Sequence, residues 1–207
     1  MSEMHDTKSR ILDVAEELFA ERGVDRVSVR DITDAAKVNL AAVNYHFGSK
    51  EELIAAVFAR RIGPVNQLRI EALDELERSA GGSGLQVEQI LEAFIRPTLK
   101  VCGSNTPGSA TFSRLFGRCI AEPNPELEKL LRKQFQPLID RMDAALMKAL
   151  PHLSRSEIFW RTKFMFGAFH YWLLTKDKAL PPWAEGVDVE EQTRKLISFA
   201  AAGFKAS

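Results

Sequence analysis

The chain has 207 residues, of which 45% are hydrophobic and 27% are charged. This composition is typical of a soluble globular protein and excludes a disordered chain. Because 28 lysines and arginines balance 28 aspartates and glutamates, bulk charge gives no support to nucleic-acid or membrane binding, and any such function has to come from a local pattern.

Several other classes of protein lack their signatures in this sequence. Two cysteines, Cys102 and Cys119, cannot form a disulfide framework or a four-ligand zinc site by themselves. The four histidines are far apart, and there is no nucleophile elbow, phosphate loop or dinucleotide fingerprint. We therefore expect no enzymatic activity, no metal and no cofactor. The polar start and the short apolar stretches predict a cytoplasmic protein that does not span a membrane.

Apolar residues recur at helical spacing along nearly the whole chain, which predicts an all-α fold of about nine helices. The first helix carries an apolar stripe from Ile11 to Phe19 and is expected to end at Gly23 in a left-handed cap. The acidic residues of this helix are expected to face solvent; they are Asp13, Glu16, Glu17 and Glu21.

Two short helices are predicted next, each preceded by a typical N-cap residue. Ser28 begins the second helix, which ends near Lys37, and Asn39 begins the third, which ends near Phe47. The tight joint over residues 36–39 gives these helices the proportions of a helix-turn-helix.

The rest of the chain is predicted to be helical as well. Ser49 begins a long fourth helix, which we expect to be kinked at residues 63–64 because Pro64 loses a backbone donor and clashes with the preceding turn. The glycine- and serine-rich run over residues 79–84 predicts a loop. Later helices are predicted over residues 85–101, around 112–120, from 125 to about 149, from 155 to about 175 and around 196–204.

The third helix presents side chains suited to the major groove of DNA. Ala41 and Ala42 are small enough for its N-terminus to approach the groove wall closely. Asn44 carries an amide that pairs with a base edge, most naturally that of adenine. Tyr45 and His46 can donate to phosphates.

Polar residues on the neighbouring helices complete this candidate site. Lys50 adds a charge beside backbone amides that attract anions, and Ser28 and Arg30 are placed to hold the opposite groove wall. Residues 1–66 contain nine lysines and arginines against eleven acids, so charge permits DNA binding without arguing for it. The alternative is three packed helices with solvated ends.

The stretches 11–23, 28–32 and 38–53 resemble the TetR family of one-component transcription regulators. The most specific feature is a helix that ends in His46 and Phe47, followed by Gly-Ser-Lys and an acidic helix start. The family usually has an aromatic residue at position 44 and a polar or basic one at position 40, so base preference is not inherited. From the motif and the resemblance together, we expect DNA contacts from Ser28, Arg30, Asn39, Ala41, Ala42, Asn44, Tyr45, His46 and Lys50.

The resemblance implies a DNA-binding domain over residues 7–66 and a helical domain for effector binding and dimerisation over residues 67–207. The sequence fits this division, because a helix that is apolar all round, as residues 158–174 nearly are, has to be buried by other helices or by a partner chain. The expected pocket residues are Phe112, Phe116, Met142, Phe164, Phe169, His170 and Trp172. The alternative is that these side chains are simply core.

The sequence therefore predicts a homodimeric repressor that a small apolar effector releases from a palindromic operator. Residues 39–50 and 63–64 are similar to a branch of the family that includes fatty-acid-responsive repressors, which implies a fatty acid or acyl-CoA as effector, with a head group near Arg114, Arg118 or His170. A planar aromatic compound fits the composition equally well, and a redox-sensing cysteine pair is a further alternative. A helical interaction module without DNA binding is the alternative from another class.

Overall fold

The computed structural model describes residues 2–102, 107–121, 124–175 and 181–206. Within these ranges the regular structure is entirely helical, so the all-α prediction is confirmed. The described helices are α1 (Ser2–Arg22), α2 (Val29–Ala36), α3 (Leu40–Phe47), α4 (Lys50–Ser79), α5 (Val87–Cys102), α6 (Pro107–Ala121), α7 (Pro125–Ala149), α8 (Arg155–Thr175) and α9 (Val189–Lys205), with a short 3-10 turn at Pro182–Ala184.

Capping side chains set the starts of the N-terminal helices where the sequence predicts them. Ahead of α2, the Ser28 hydroxyl accepts from the Asp31 amide at 3.1 Å, and the Asp31 carboxylate accepts from the Ser28 amide at 2.7 Å. The Asn39 side chain accepts a backbone N–H of α3 at 2.8 Å, and the Ser49 hydroxyl accepts one of α4 at 3.1 Å. These bonds satisfy backbone donors that have no partner inside the helix.

The helices form two compact units. The first comprises Met1–Pro64 and Ser104–Phe135, and the second comprises Val65–Gly103 and Gln136–Ser207. In the first unit α6 packs against α1, although the sequence groups α6 with the effector domain. The functional division into residues 7–66 and 67–207 stays a prediction.

Helix α4 runs without interruption from Lys50 to Ser79, with Pro64 inside it. The boundary between the two units falls directly after Pro64, the position where the sequence predicts a kink. The helix ends at Ser79, and turns follow it, as the glycine- and serine-rich run predicts.

Glu16 contradicts the prediction that the acidic residues of α1 face solvent, because it is only 2% exposed. Arg60 Nη2 donates to its Oε2 atom at 2.5 Å, and Arg61 Nε donates to its Oε1 atom at 2.9 Å. Arg60 Nη1 also donates to Asp13 at 2.7 Å. These ion pairs join α1 to α4 inside the first unit. Helical periodicity misses them because the partners are more than 40 residues apart in the sequence.

Replacing Lys37 with glycine is expected to raise the free energy of unfolding by about 0.5–1 kcal/mol. Lys37 ends α2 in the left-handed conformation, with φ 53° and ψ 49°, which only glycine adopts without steric cost. Urea unfolding measures the change. Lys37→Ala is the control, since it removes the charge and keeps the Cβ atom. Equal stabilisation by both variants would attribute the gain to the lost charge and contradict the backbone explanation.

Candidate nucleic-acid interface

Helix α3 exposes one face, formed by Ala41, Asn44 and Tyr45, which we call the recognition face. Residues three and four apart lie on the same side of a helix, and all three of these are exposed, with Tyr45 at 74%. Val43 and Phe47 are buried on the opposite side, where α3 packs against α1 and α2. The helix is therefore fixed by its apolar side and presents an amide and a phenol to solvent.

Two other predicted residues of α3 are only half exposed. Ala42 is half-buried at the start of the helix. The His46 ring is half-buried between its neighbours, edge-on to the Tyr45 ring at 5.2 Å and 6.1 Å from the Phe47 ring. His46 thus lies beside the recognition face, in a position that suits a phosphate contact better than a base contact.

Two of the residues predicted to contact DNA, Ser28 and Asn39, use polar side-chain atoms to cap helices. The Ser28 hydroxyl donates to the Asp31 carboxylate at 2.6 Å, and this bond together with the Ser28 amide holds the pKa of Asp31 below its usual value. The Asn39 carbonyl oxygen accepts from the backbone of α3, so a contact of this side chain with DNA has to use its amide nitrogen. Arg30 is exposed and Lys50 is half-buried.

The joint between α3 and α4 fixes where Lys50 lies. Gly48 ends α3 with φ 76°, and its amide donates to the Asn44 carbonyl at 2.9 Å. A Cβ atom at position 48 would clash with the Glu52 carboxylate, which lies over this glycine. The backbone conformation favours glycine at this joint, whereas the Glu52 carboxylate ends an exposed, flexible side chain that can move aside.

Sequence reasoning missed one basic residue beside α3. The Nζ atom of Lys8 on α1 lies 5.8 Å from the centroid of the Phe47 ring, at the C-terminal end of α3, and Lys8 is exposed. The apolar stripe gives no signal for Lys8, because it begins at Ile11 and the structure extends α1 further toward the N-terminus.

The expected pocket residues fall into both units. In the first unit, Phe58, Phe112, Phe116 and Phe135 form a chain of rings with centroids 5.9 to 6.4 Å apart. A cavity of about 10 Å³ in the same unit has Phe19, Leu115 and Arg118 among its lining residues. That volume holds about one water molecule, far less than the several hundred Å³ of a typical ligand pocket.

The other expected pocket residues belong to the second unit. Met142 and Phe169 are buried, His170 is half-buried, and the Trp172 indole donates to the Gln192 side chain at 2.8 Å. Phe164 lies on the surface instead, 69% exposed and stacked on the Trp160 ring. The side chains of Cys102 and Cys119, the redox alternative, lie outside the described residues.

Helices α2 and α3, each with a capped N-terminus and joined by a short turn, leave one face of α3 exposed, and this arrangement defines the class of a helix-turn-helix regulatory protein. Two family models identify the family. Residues 11–57 match the model of bacterial regulatory proteins of the tetR family, and residues 92–203 match the model of the tetracyclin repressor-like C-terminal domain. The chain belongs to the tetR family, as the resemblance in its sequence predicts.

Individual relatives match shorter parts of the chain. The transcriptional repressor KstR2 of Rhodococcus jostii is 35% identical over 134 residues, which are 63% of this chain and 60% of that protein. The transcriptional repressor Rv3405c of Mycobacterium tuberculosis is 46% identical over 52 residues, which are 25% of this chain and 28% of that protein. The chain thus matches less than two thirds of the length of either relative.

Two solved structures share the fold over nearly the whole chain. The fatty acid degradation regulator FadR from Bacillus halodurans superposes with a TM-score of 0.63 at 16% identity, covering 97% of both chains. Salmonella enterica GusR gives a TM-score of 0.61 at 20% identity, covering 97% of this chain and 96% of that one. Among the described residues, no helix is both long and apolar enough to cross a membrane.

Proposed function

We propose that the protein is a homodimeric transcriptional repressor, which binds a pseudo-palindromic operator and is released from it by a small effector. The observation that carries the proposal is the recognition face of α3, held by the buried Val43 and Phe47 and capped at Asn39. Membership of the tetR family and the similarity to KstR2 and Rv3405c, both named as transcriptional repressors, support it.

In this proposal the two copies of α3 enter successive major grooves about 34–36 Å apart on one side of the duplex. Ala41 allows close approach, and Asn44 reads a base edge with its amide. Arg30, His46 and Lys50 bind phosphates on either side of the groove.

A surface of α8 and α9 supports dimerisation; we call Trp160, Phe164, Tyr171 and Phe199 the aromatic face. All four side chains are exposed, and Phe164 and Phe199 are each 69% exposed. An apolar patch of large side chains on a helix pair is typical of a protein interface. A second copy of the chain is the occupant that family membership supports.

The register of the two helices places two residues of the aromatic face, Phe164 and Phe199, at one level. Arg161 Nη1 donates to the Phe204 carbonyl at 2.8 Å, and the Trp172 indole donates to Gln192 at 2.8 Å. Helices α8 and α9 are therefore antiparallel, and Phe164 and Phe199 lie at the same height along the pair. Two such pairs related by a two-fold axis would form a four-helix interface.

Release of DNA requires that the effector bind more tightly to the state that does not fit the operator. A tenfold weakening of DNA binding needs a coupling free energy of about 1.4 kcal/mol. The effector classes that the sequence predicts are a fatty acid or acyl-CoA and a planar aromatic compound.

Lys50→Ala is expected to weaken binding to every DNA sequence and to lower the slope of log affinity against log salt by about one unit. The physical reason is the loss of one phosphate contact and of the counterion that it releases. The measurement is a salt titration by fluorescence anisotropy, on a duplex selected from a random library. Lys148→Ala on α7 is the control and should bind as the wild type does. An unchanged slope in Lys50→Ala would remove Lys50 from the phosphate contacts.

Asn44→Ala is expected to relax the preference at one base position, by about 1–3 kcal/mol of discrimination, and to leave the salt slope unchanged. The same library selection, repeated with the variant, measures the preference at each position. A uniform loss of affinity at all positions would contradict base reading by Asn44. Failure of the wild type to select any duplex would contradict the proposed function itself.

A further inference from the structure

The turn between α2 and α3 has a lysine in a backbone conformation for which the rest of the described chain uses glycine. Lys37 has φ 53° and ψ 49°, and among the described residues it is the one residue other than glycine with a positive φ. Helices α1 and α3 are also followed by a residue with positive φ, and there the chain has Gly23 and Gly48. A Cβ atom makes this conformation sterically costly, and glycine avoids that cost.

The hydrogen bonds of the turn explain the conformation but not the lysine. The Lys37 amide donates to the Asp34 carbonyl at 3.4 Å, and the Val38 amide donates to the Thr33 carbonyl at 3.0 Å. These two bonds form a Schellman motif, in which the residue that follows the helix is left-handed. Glycine would make the same two bonds without the steric cost, so the reason for a lysine lies in its side chain.

The Lys37 side chain has no role within the described part of the protein. It is exposed, and none of the hydrogen bonds, ion pairs or ring contacts between the described residues involves its ammonium group. The acid closest to it in the sequence, Asp34, is exposed as well and forms no ion pair with it. Costly backbone conformations are often kept where they serve a function, and an exposed, unpaired charge indicates a partner outside the chain.

Lys37 lies next to the end of α3 that carries the recognition face into the groove in the proposed function. It precedes Asn39, whose side chain caps α3, and Ala41, the first residue of the recognition face. In a helix-turn-helix the first residues of the second helix contact base edges, and the first helix crosses the phosphate backbone. The turn that joins them is therefore close to the phosphates at the edge of the groove, where lysine binds as a point charge.

We propose that Lys37 binds a phosphate of the operator, and that the chain keeps a lysine at this costly position for its charge. The inference rests on the proposed function, because it takes α3 as the helix that enters the major groove. A phosphate contact beside the start of α3 adds affinity for every sequence and leaves base preference to the recognition face. Stability and DNA affinity are then opposed at position 37, where glycine gives a more stable protein that binds DNA more weakly.

Three variants separate the charge of Lys37 from its backbone conformation. Lys37→Gly removes both the charge and the steric cost, Lys37→Ala removes only the charge, and Lys37→Arg keeps both. Each variant is titrated by fluorescence anisotropy against the duplex that the wild type selects from a random library, at several salt concentrations between about 50 and 200 mM. Lys148→Ala on α7 is the control for the loss of a surface lysine and should bind as the wild type does.

We expect Lys37→Gly and Lys37→Ala to bind the duplex about tenfold more weakly than the wild type, because each loses a charged hydrogen bond to a phosphate. Both should lower the slope of log affinity against log salt to the same extent as Lys50→Ala, and Lys37→Arg should bind as the wild type does. Urea unfolding is expected to show that Lys37→Gly is more stable than the wild type, so its weaker binding cannot come from unfolding.

Three results would overturn the proposal. The first is wild-type affinity and slope in both Lys37→Gly and Lys37→Ala. The second is a loss in Lys37→Gly alone, which would assign the effect to the backbone of the turn. The third is a change in the preferred sequence when the library selection is repeated with Lys37→Ala, which would assign Lys37 to base reading, because a phosphate contact carries no sequence information.

The wild-type protein separates this inference from the proposed function. If the wild type selects a duplex and the variants without the charge bind it equally well, the proposed function stands and the Lys37 contact is wrong. If the wild type selects no duplex, the proposed function is wrong, and the Lys37 contact is wrong with it. Weaker binding of the more stable Lys37→Gly protein, with a lower salt slope, supports both.

Discussion

Replacing Arg60 and Arg61 together with methionine is expected to lower the free energy of unfolding by about 3–5 kcal/mol. Both arginines donate to Glu16, whose side chain is only 2% exposed. Without them the carboxylate remains inside the first unit with its charge uncompensated. The arginines are themselves 25% and 34% exposed, so they keep access to water whichever partner is lost.

That difference in exposure makes the effect asymmetric. Glu16→Met leaves two arginines that reach solvent. It is therefore expected to lower the free energy of unfolding by less than the replacement of both arginines does. The triple variant, which also replaces Glu16 with methionine, removes the buried charge and should recover most of the stability, since a buried ion pair exchanged for apolar side chains is often neutral. Such recovery is a coupling energy between neighbouring residues.

Thermal unfolding followed by circular dichroism measures the series. At about 2–4 °C per kcal/mol for a chain of this size, the arginine double variant should melt roughly 6–20 °C below the wild type. Replacing Arg132 and Lys133, two exposed residues of α7, with methionine is the control for the loss of two surface charges. A triple variant no more stable than the double variant would show that the arginines act through packing and not through Glu16.

What the sequence predicts well in this protein depends on residues close to one another in the chain. The caps at Ser28, Asn39 and Ser49 each bond a backbone amide three residues later, so a short motif contains both partners. The recognition face is also predictable from nearby residues, because a cap and a short apolar pattern determine which side of an eight-residue helix is buried. The helices and the candidate DNA contacts were therefore accessible without the structure.

Features that depend on distant partners were not predicted. Glu16 meets its arginines from 44 and 45 residues away, and Arg69 meets Thr98 from 29 residues away. Periodicity predicts whether a charged residue is buried only from the apolar stripe of its own helix. It therefore predicts that Glu16 is exposed, and it does not indicate that Arg69 is buried. Buried charges are found only when the helix that carries the partner is known.

Helix α8 shows the same limit for apolar residues. Its side chains are apolar nearly all round, so no stripe distinguishes the inner side from the outer one, and the sequence assigned Phe164 to the pocket. The structure buries Met165 and Phe169 and exposes Phe164. Burial against a second protomer would explain why a phenylalanine is exposed on this helix. A substitution at Phe164 tests that explanation directly.

Phe164→Asp is expected to dissociate the dimer and to weaken operator binding by about 10²–10⁴-fold, because a monomer binds one half-site without the effective concentration that a linked second copy provides. Adding Phe199→Asp, at the same height on α9, should deepen the loss. Sedimentation velocity measures the oligomeric state, and fluorescence anisotropy on the selected duplex measures affinity.

Met147→Asp is the matched control, since it places the same charge at an exposed apolar residue of α7, outside the aromatic face. It should stay dimeric and bind DNA as the wild type does. Circular dichroism separates dissociation from unfolding by measuring helix content. Phe164→Asp should keep the helix content of the wild type, because the exposed Phe164 contributes little to the core of its own chain. A Phe164→Asp protein that remains dimeric with full operator affinity would place the subunit interface elsewhere, and equal losses in both variants would mean that added surface charge, and not the aromatic face, controls assembly.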